Sequence, residues 1–161
     1  MLPKLKWKMN HPKLYLENSV ISMYFQDEAL YLKGLTRKFW LEVLLRFDVF
    51  ISEIVIEEIE ATPELDLREA LEDLVENFDI LEVSKEVVDL SLIYLSHRRI
   101  PREDALHIAS ASIGQIDFLV TWNLRHIYKR GTQEIIREVN TRLGMLTPEI
   151  VTPEDFFEEE M

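Results

Sequence analysis

Four oxygen-bearing side chains stand where they can do chemistry: Glu17, Glu58, Asp104 and Asn123. Glu17 ends the apolar run Lys13-Leu-Tyr-Leu-Glu17, and Asn123 ends the run Phe118-Leu-Val-Thr-Trp-Asn123. Asp104 opens Asp104-Ala-Leu-His-Ile-Ala-Ser-Ala111, a helical stretch of mostly small residues. In Glu53-Ile-Val-Ile-Glu-Glu-Ile-Glu60 the side chain of Glu58 falls on the stripe of Ile54, Val55 and Ile59, whereas Glu57 is rotated off its centre. An acid on an inward face needs a cation or a hydrogen-bond partner, because a bare buried carboxylate costs several kcal/mol or shifts its pKa until it neutralises. Three acids brought together repel one another unless a divalent cation neutralises them, and oxygen-only ligands suit Mg2+ or Mn2+. One or two such ions, about 3.5–4 Å apart when paired, activate water and stabilise the charge of a phosphodiester displacement.

Such a set works only if the chain delivers its members to one place. Strand-like runs are read at 13–17, 48–52, 117–122 and 149–152, with a short strand or extended link at 78–83. Between them lie helical patterns. Asn18 or Ser19 is a good N-cap type for a helix through Phe25, and Thr36 or a neighbour begins one through Leu45. Ser52 caps the helix that Pro63 closes off. Two amphipathic helices are read at 67–78 and 84–97, and a further one at 102–113, ended by Gly114. A brief helix follows Asn123, and a longer one over 132–143 is capped by Gly144. Alternation of this kind implies a mainly parallel α/β sheet with helices on both faces. In open sheets of that class ligands bind at the carboxyl ends of the strands, where Glu17 and Asn123 are expected. His107, one turn after Asp104, reads as a packed, hydrogen-bonded residue rather than a ligand.

Composition narrows the partners. At 161 residues and 47% hydrophobic, with 4 Gly and 6 Pro, the chain is long enough to bury one substantial core. It has no cysteine, which excludes disulfides and thiolate metal sites. The apolar runs are strand-sized and the N-terminus does not read as a signal peptide, so no membrane span and a cytoplasmic location are expected. The net charge of −12 is unevenly spread: residues 51–90 hold 14 acids and 2 bases, and the tail over 154–160 adds 5 acids. Lys4, Lys6, Lys8 and Lys13 make the first residues basic. Arg98, Arg99, Arg102, Arg125, Lys129 and Arg130 stand against three acids in the segment 98–130, so one face can still meet a polyanion.

These blocks, in this order, resemble the PIN-domain proteins. Leu14-Tyr-Leu-Glu-Asn-Ser-Val-Ile-Ser22 is similar to the opening strand and turn of that family, in which Asp usually stands at the place of Glu17. Ile51 to Ile59 resembles its strand-to-helix segment, Asp104 to Ala111 the helix with its third acid, and Leu119 to His126 its closing strand. Ile150-Val-Thr-Pro153 fits its ending. The resemblance implies a PIN-like three-layer sandwich over residues 13–153, between a basic arm (1–12) and an acidic tail (154–161). It implies Glu17, Glu58 and Asp104 as metal ligands, with Asn123 where a fourth acid is often found, and Ser19 and Thr121 orienting them. The six basic residues of the segment 98–130 are then candidates for phosphate contacts. The activity implied is that of a Mg2+- or Mn2+-dependent endoribonuclease acting on RNA. A homodimer and a place as the toxin of a toxin–antitoxin pair, with an antitoxin partner, are implied with it. The departures at Glu17 and Asn123 keep a second reading open, a PIN-fold RNA- or protein-binding regulatory module with weak or lost catalysis.

Overall fold

Five short strands, each an apolar run cut off by a polar residue, build the sheet: β1 (Lys13–Leu16), β2 (Asp48–Ser52), β3 (Asp79–Leu81), β4 (Phe118–Val120) and β5 (Glu149–Val151). The computed structural model describes residues 11–160, with side chains as far as residue 157, so the basic arm up to residue 10 lies outside the described residues. Strand order is β3-β2-β1-β4-β5 and every pairing is parallel. The centre is fully apolar: Leu14, Tyr15, Leu16, Leu119 and Val120 are wholly buried. Strands covered on both faces must read as unbroken apolar runs, which is what β1 and β4 do.

Among the described residues seven α-helices connect these strands: α1 (Asn18–Met23), α2 (Leu30–Glu42), α3 (Glu53–Glu60), α4 (Leu65–Val75), α5 (Lys85–His97), α6 (Arg102–Ile113) and α7 (Arg130–Arg142). Short 3-10 helices occupy Leu44–Arg46 and Pro153–Glu160. The right-handed rule for parallel crossovers, applied to this strand order, places α1 to α4 on one face and α5 to α7 on the other, in keeping with the packing of α1 on α2 and α4, and of α5 on α6 and α7. The result is three layers. The last 3-10 helix closes the first of them, where Phe156 packs its ring against Phe39, Phe47 and Phe118 at centroid distances of 5.2, 5.8 and 6.0 Å.

Several boundaries differ from the sequence reading. Helix α2 begins at Leu30, so Thr36 is an interior residue; its hydroxyl bonds back to the Leu32 carbonyl at 2.7 Å and accepts the indole N–H of Trp122 at 2.8 Å. A hydroxyl read as a cap is therefore a tether between α2 and the end of β4. No helix follows Asn123: the segment is a turn, closed by Tyr128 N–H on the Asn123 carbonyl at 2.9 Å. At the end of α6 the left-handed residue is Gln115 (φ 55°), while Gly114 has φ −73°. Gly114 answers a different need, since a Cβ there would stand 3.0 Å from Leu81 Cδ1 on β3.

Candidate functional site

In an order of β3-β2-β1-β4-β5 the chain runs outward from β1 in one direction and from β4 in the other, so the crevice between their carboxyl ends is the topological switch point. Glu17 follows β1 and Thr121 follows β4, in adjacent register. Glu17 is itself the N-cap of α1, the role the sequence reading gave to Asn18 or Ser19. The Ser19 N–H donates to its Oε2 at 3.1 Å. Its Oε1 accepts the hydroxyls of Ser19 at 2.5 Å and Thr121 at 2.6 Å. Those hydroxyls in turn accept the Trp122 and Asn123 N–H groups, both at 2.8 Å. The cradle is sized to a glutamate, so the extra methylene relative to Asp is taken up by two hydroxyls from different elements.

Asp104 enters the crevice from the first turn of α6. Its Oδ2 accepts the Asn123 amide Nδ2–H at 3.1 Å, and Asn123 Oδ1 accepts the His126 N–H at 2.9 Å. The neutral residue at this position thus does what a carboxylate cannot, donating to an acid. Burial holds the Asp104 carboxyl above its ordinary range; the Asn123 amide pulls it down and the charge of Glu17 pushes it further up. Glu17 and Asp104 are only 5% and 9% exposed.

Glu58 arrives on α3, with its side chain 31% exposed. Its Oε1 accepts from His107 Nε2 at 2.7 Å, and His107 Nδ1 lies 2.7 Å from Tyr15 Oη, itself 2.7 Å from Ser52 Oγ. Burial pulls the His107 pKa down, but the hydrogen bond to Glu58 and the charges of Glu17, Glu58 and Asp104 outweigh it, and it stands above the ordinary histidine value. Burial likewise pushes the Tyr15 hydroxyl well above its usual range. The Ser52 hydrogen bond opposes that rise, and the charges of Glu17 and Glu58 add to it.

The three acids therefore stand around one histidine in two groups, a Glu17–Asp104 pair and a Glu58–His107 pair. Among the described residues no Lys or Arg is ion-paired with any of them, and no three His, Asp or Glu side chains are gathered into a set that holds a metal as they stand. Asn18, next to Glu17 in the chain, has a buried Oδ1 without a hydrogen-bond partner. In kind the donors fit a hard divalent cation: all are oxygens, two of the carboxylates are nearly buried, and among the described residues neither of those two is paired with a basic side chain.

Neither a family model nor a curated protein sequence matches this chain. Solved structures do. The sarcin–ricin-loop-cleaving toxin VapC20 of Mycobacterium tuberculosis superposes with a TM-score of 0.57 at 13% identity, over 70% of this chain and 91% of that one. DNA-bound VapBC from Salmonella typhimurium gives 0.57 at 15% identity over 88% and 98%. VapBC2 of Rickettsia felis, bound to a fragment of its promoter, gives 0.54 at 11% identity over 87% and 98%. The chain has the PIN-domain fold.

Within this PIN fold the six basic residues have unequal surroundings. Arg98 is turned onto the start of α7, its Nε donating to Thr132 Oγ1 at 2.8 Å; its guanidinium lies so close to Gly131 that a Cβ there would meet it at 2.5 Å. Arg99, Arg102, Arg125, Lys129 and Arg130 are exposed. Lys129 and Arg130 line a cleft of about 600 Å³ together with Arg137, which the sequence reading passed over although it lies two turns from Arg130 on the same face of α7. The reading also missed Tyr15, which looks like one more interior residue of an apolar run, and it saw Ser52 only as the cap of α3; the bond between their hydroxyls is revealed only by their three-dimensional neighbours.

Proposed function

We propose that this chain is a divalent-cation-dependent endoribonuclease in which Glu17, Glu58, Asp104 and Asn123 would hold Mg2+ or Mn2+. The observation that carries this reading is the meeting of nearly buried Glu17 and Asp104 at the switch point, with no basic side chain paired to either among the described residues. When bound, the ion would supply an activated water and stabilisation of the charge developing on the scissile phosphate. The chain's own residues do the positioning. Ser19 and Thr121 fix the Glu17 carboxylate from the first turn of α1 and the end of β4, and Asn123 orients Asp104. Lys129 and Arg130, with Arg99, Arg102 and Arg125, offer positive charge for the RNA backbone, and Arg98 stiffens the turn that carries the first two.

The fold shared with a toxin described as loop-cleaving and with VapBC assemblies supports a place as the toxin of a toxin–antitoxin pair, with an antitoxin partner. Exposed apolar side chains at Leu30, Tyr31, Leu41 and Leu45, in and just after α2, favour a protein partner on that side. A second reading, an RNA- or protein-binding module with weak catalysis, is favoured by one observation: Glu58 is engaged by His107, apart from the other two acids.

The test is purified protein on RNA with Mn2+ or Mg2+, with EDTA, and as Asp104→Asn. Cleavage that needs the ion and is lost in the variant is expected. Equal cleavage by both proteins would identify a contaminant. No cleavage combined with an ion-induced rise in melting temperature would move the assignment to the binding module, and neither cleavage nor such a rise would overturn cation binding as well.

A further inference from the structure

Four elements meet behind Glu58 in an unbroken line of hydrogen bonds. The Ile54 N–H, in the first turn of α3, donates to Ser52 Oγ at 3.2 Å; Ser52 Oγ and Tyr15 Oη are 2.7 Å apart, as are Tyr15 Oη and His107 Nδ1, and His107 Nε2 and Glu58 Oε1. Each hydroxyl has a single hydrogen to give. The Glu58 carboxylate only accepts, so His107 Nε2 carries the hydrogen between them. When the ring is neutral its Nδ1 is then an acceptor, so Tyr15 donates to Nδ1 and Ser52 donates to Tyr15. Every donor is used once, and the carboxylate end of the line assigns the tautomer.

We infer that Ser52, Tyr15 and His107 are positioning residues for Glu58: they clamp its Oε1 and leave Oε2 as the oxygen available to a cation, an inference that rests on reading Glu58 as a ligand. Packing alone does not account for them. Tyr15, Ser52 and His107 are each 1% exposed or less, and apolar side chains of similar volume would fill that space without any partner to satisfy. The line ends instead on the one partly exposed carboxylate of the crevice. It also fixes α3 twice, at its N-cap through Ser52 and beyond its first turn through Glu58, so the helix cannot rotate without breaking it. A histidine that presents a carboxylate in this way works as an outer partner of a ligand, a role whose loss typically costs about 10–100-fold in affinity or activity.

The experiment compares wild type with Tyr15→Phe, His107→Leu and His107→Gln in the full chain. Half-saturating Mn2+ is read from melting temperature, and kcat and KM from RNA cleavage. Tyr15→Phe and His107→Leu are expected to raise half-saturating Mn2+ and lower kcat about tenfold or more, with KM for RNA little changed. His107→Gln, whose amide N–H replaces the Nε2 donor, is expected to recover most of both. Should the glutamine be as impaired as the leucine, or should Tyr15→Phe keep wild-type Mn2+ binding and kcat, the clamp is overturned. If wild type neither cleaves RNA nor binds Mn2+, the nuclease reading fails and the clamp is judged by NMR of the ion-free protein. There the His107 ring N–H is expected as an exchange-protected resonance that Glu58→Ala abolishes; its absence in wild type overturns the inference.

Discussion

At the scale of single residues, Asn123 decides more than its neutral charge suggests. Its amide donates to Asp104 and its carbonyl oxygen holds the turn at His126, so it ties the third acid to the end of β4. An aspartate would keep the turn but place a carboxylate against a carboxylate. Asn123→Asp is therefore expected to lower Tm by several degrees in EDTA, since about 1–2 kcal/mol of repulsion and lost hydrogen bonding moves a chain of this size by roughly 2–4 °C per kcal/mol. Added Mn2+ is expected to stabilise this variant more than wild type, because a further carboxylate strengthens an oxygen site. Thermal melts of both proteins with and without the ion check it, and equal melting in EDTA would show that the Asn123–Asp104 contact carries no weight. The positions of the acids stand out in the sequence: Glu17 ends an apolar run, Glu58 interrupts an apolar stripe and Asp104 opens a helix of small residues. Their partners do not. Tyr15 lies 37 residues from Ser52 and 92 from His107, and no local signal spans such gaps.

At the scale of elements, legibility followed local chemistry. Strand β2 and helix α3 lie where Ser52 and the apolar stripe put them, because the cap and the periodicity act within a single turn. Helix α2 was misplaced at its start, since the mark sought was a capping hydroxyl. Ala29 stands at that N-cap without a side-chain hydrogen bond, while Thr36 serves Trp122 from the helix interior. That tether predicts its own loss. Thr36→Val keeps the shape but strands the Trp122 indole N–H, at a cost of about 1–3 kcal/mol, and the urea midpoint is expected to fall accordingly. Trp122→Phe in the same background would then cost little more, and additive losses would argue that the two groups do not interact.

At the scale of the whole molecule, the second helical layer is pinned by a polar ring. Tyr94 of α5 lies 2.6 Å from Asn140 Oδ1 of α7 and 3.1 Å from Ser112 Oγ of α6, and Asn140 Nδ2 donates to Ser112 at 3.0 Å. Burial raises the Tyr94 pKa to about 12, with the Ser112 and Asn140 hydrogen bonds acting in the opposite direction. Its folded value lies above the unfolded one near 10, so the stability it contributes is fully present below about pH 10 and is lost as pH rises through about 12. Denaturant midpoints measured from pH 9 to 12 are expected to fall, and to fall less steeply in Tyr94→Phe. A slope unchanged by the substitution would show that alkaline unfolding starts elsewhere.

The hydrogen bond from Thr121 to Glu17 joins residues 104 apart in the chain, across the central pair of parallel strands. Parallel pairings of such long separation form late, after the entropy of closing the loop has been met. Until β4 lies beside β1, the chain can contain all three acids and yet have no crevice to hold them. The candidate site is thus absent from any folding intermediate that lacks the central pairing, and burst-phase species in refolding are expected to show helical structure without the site.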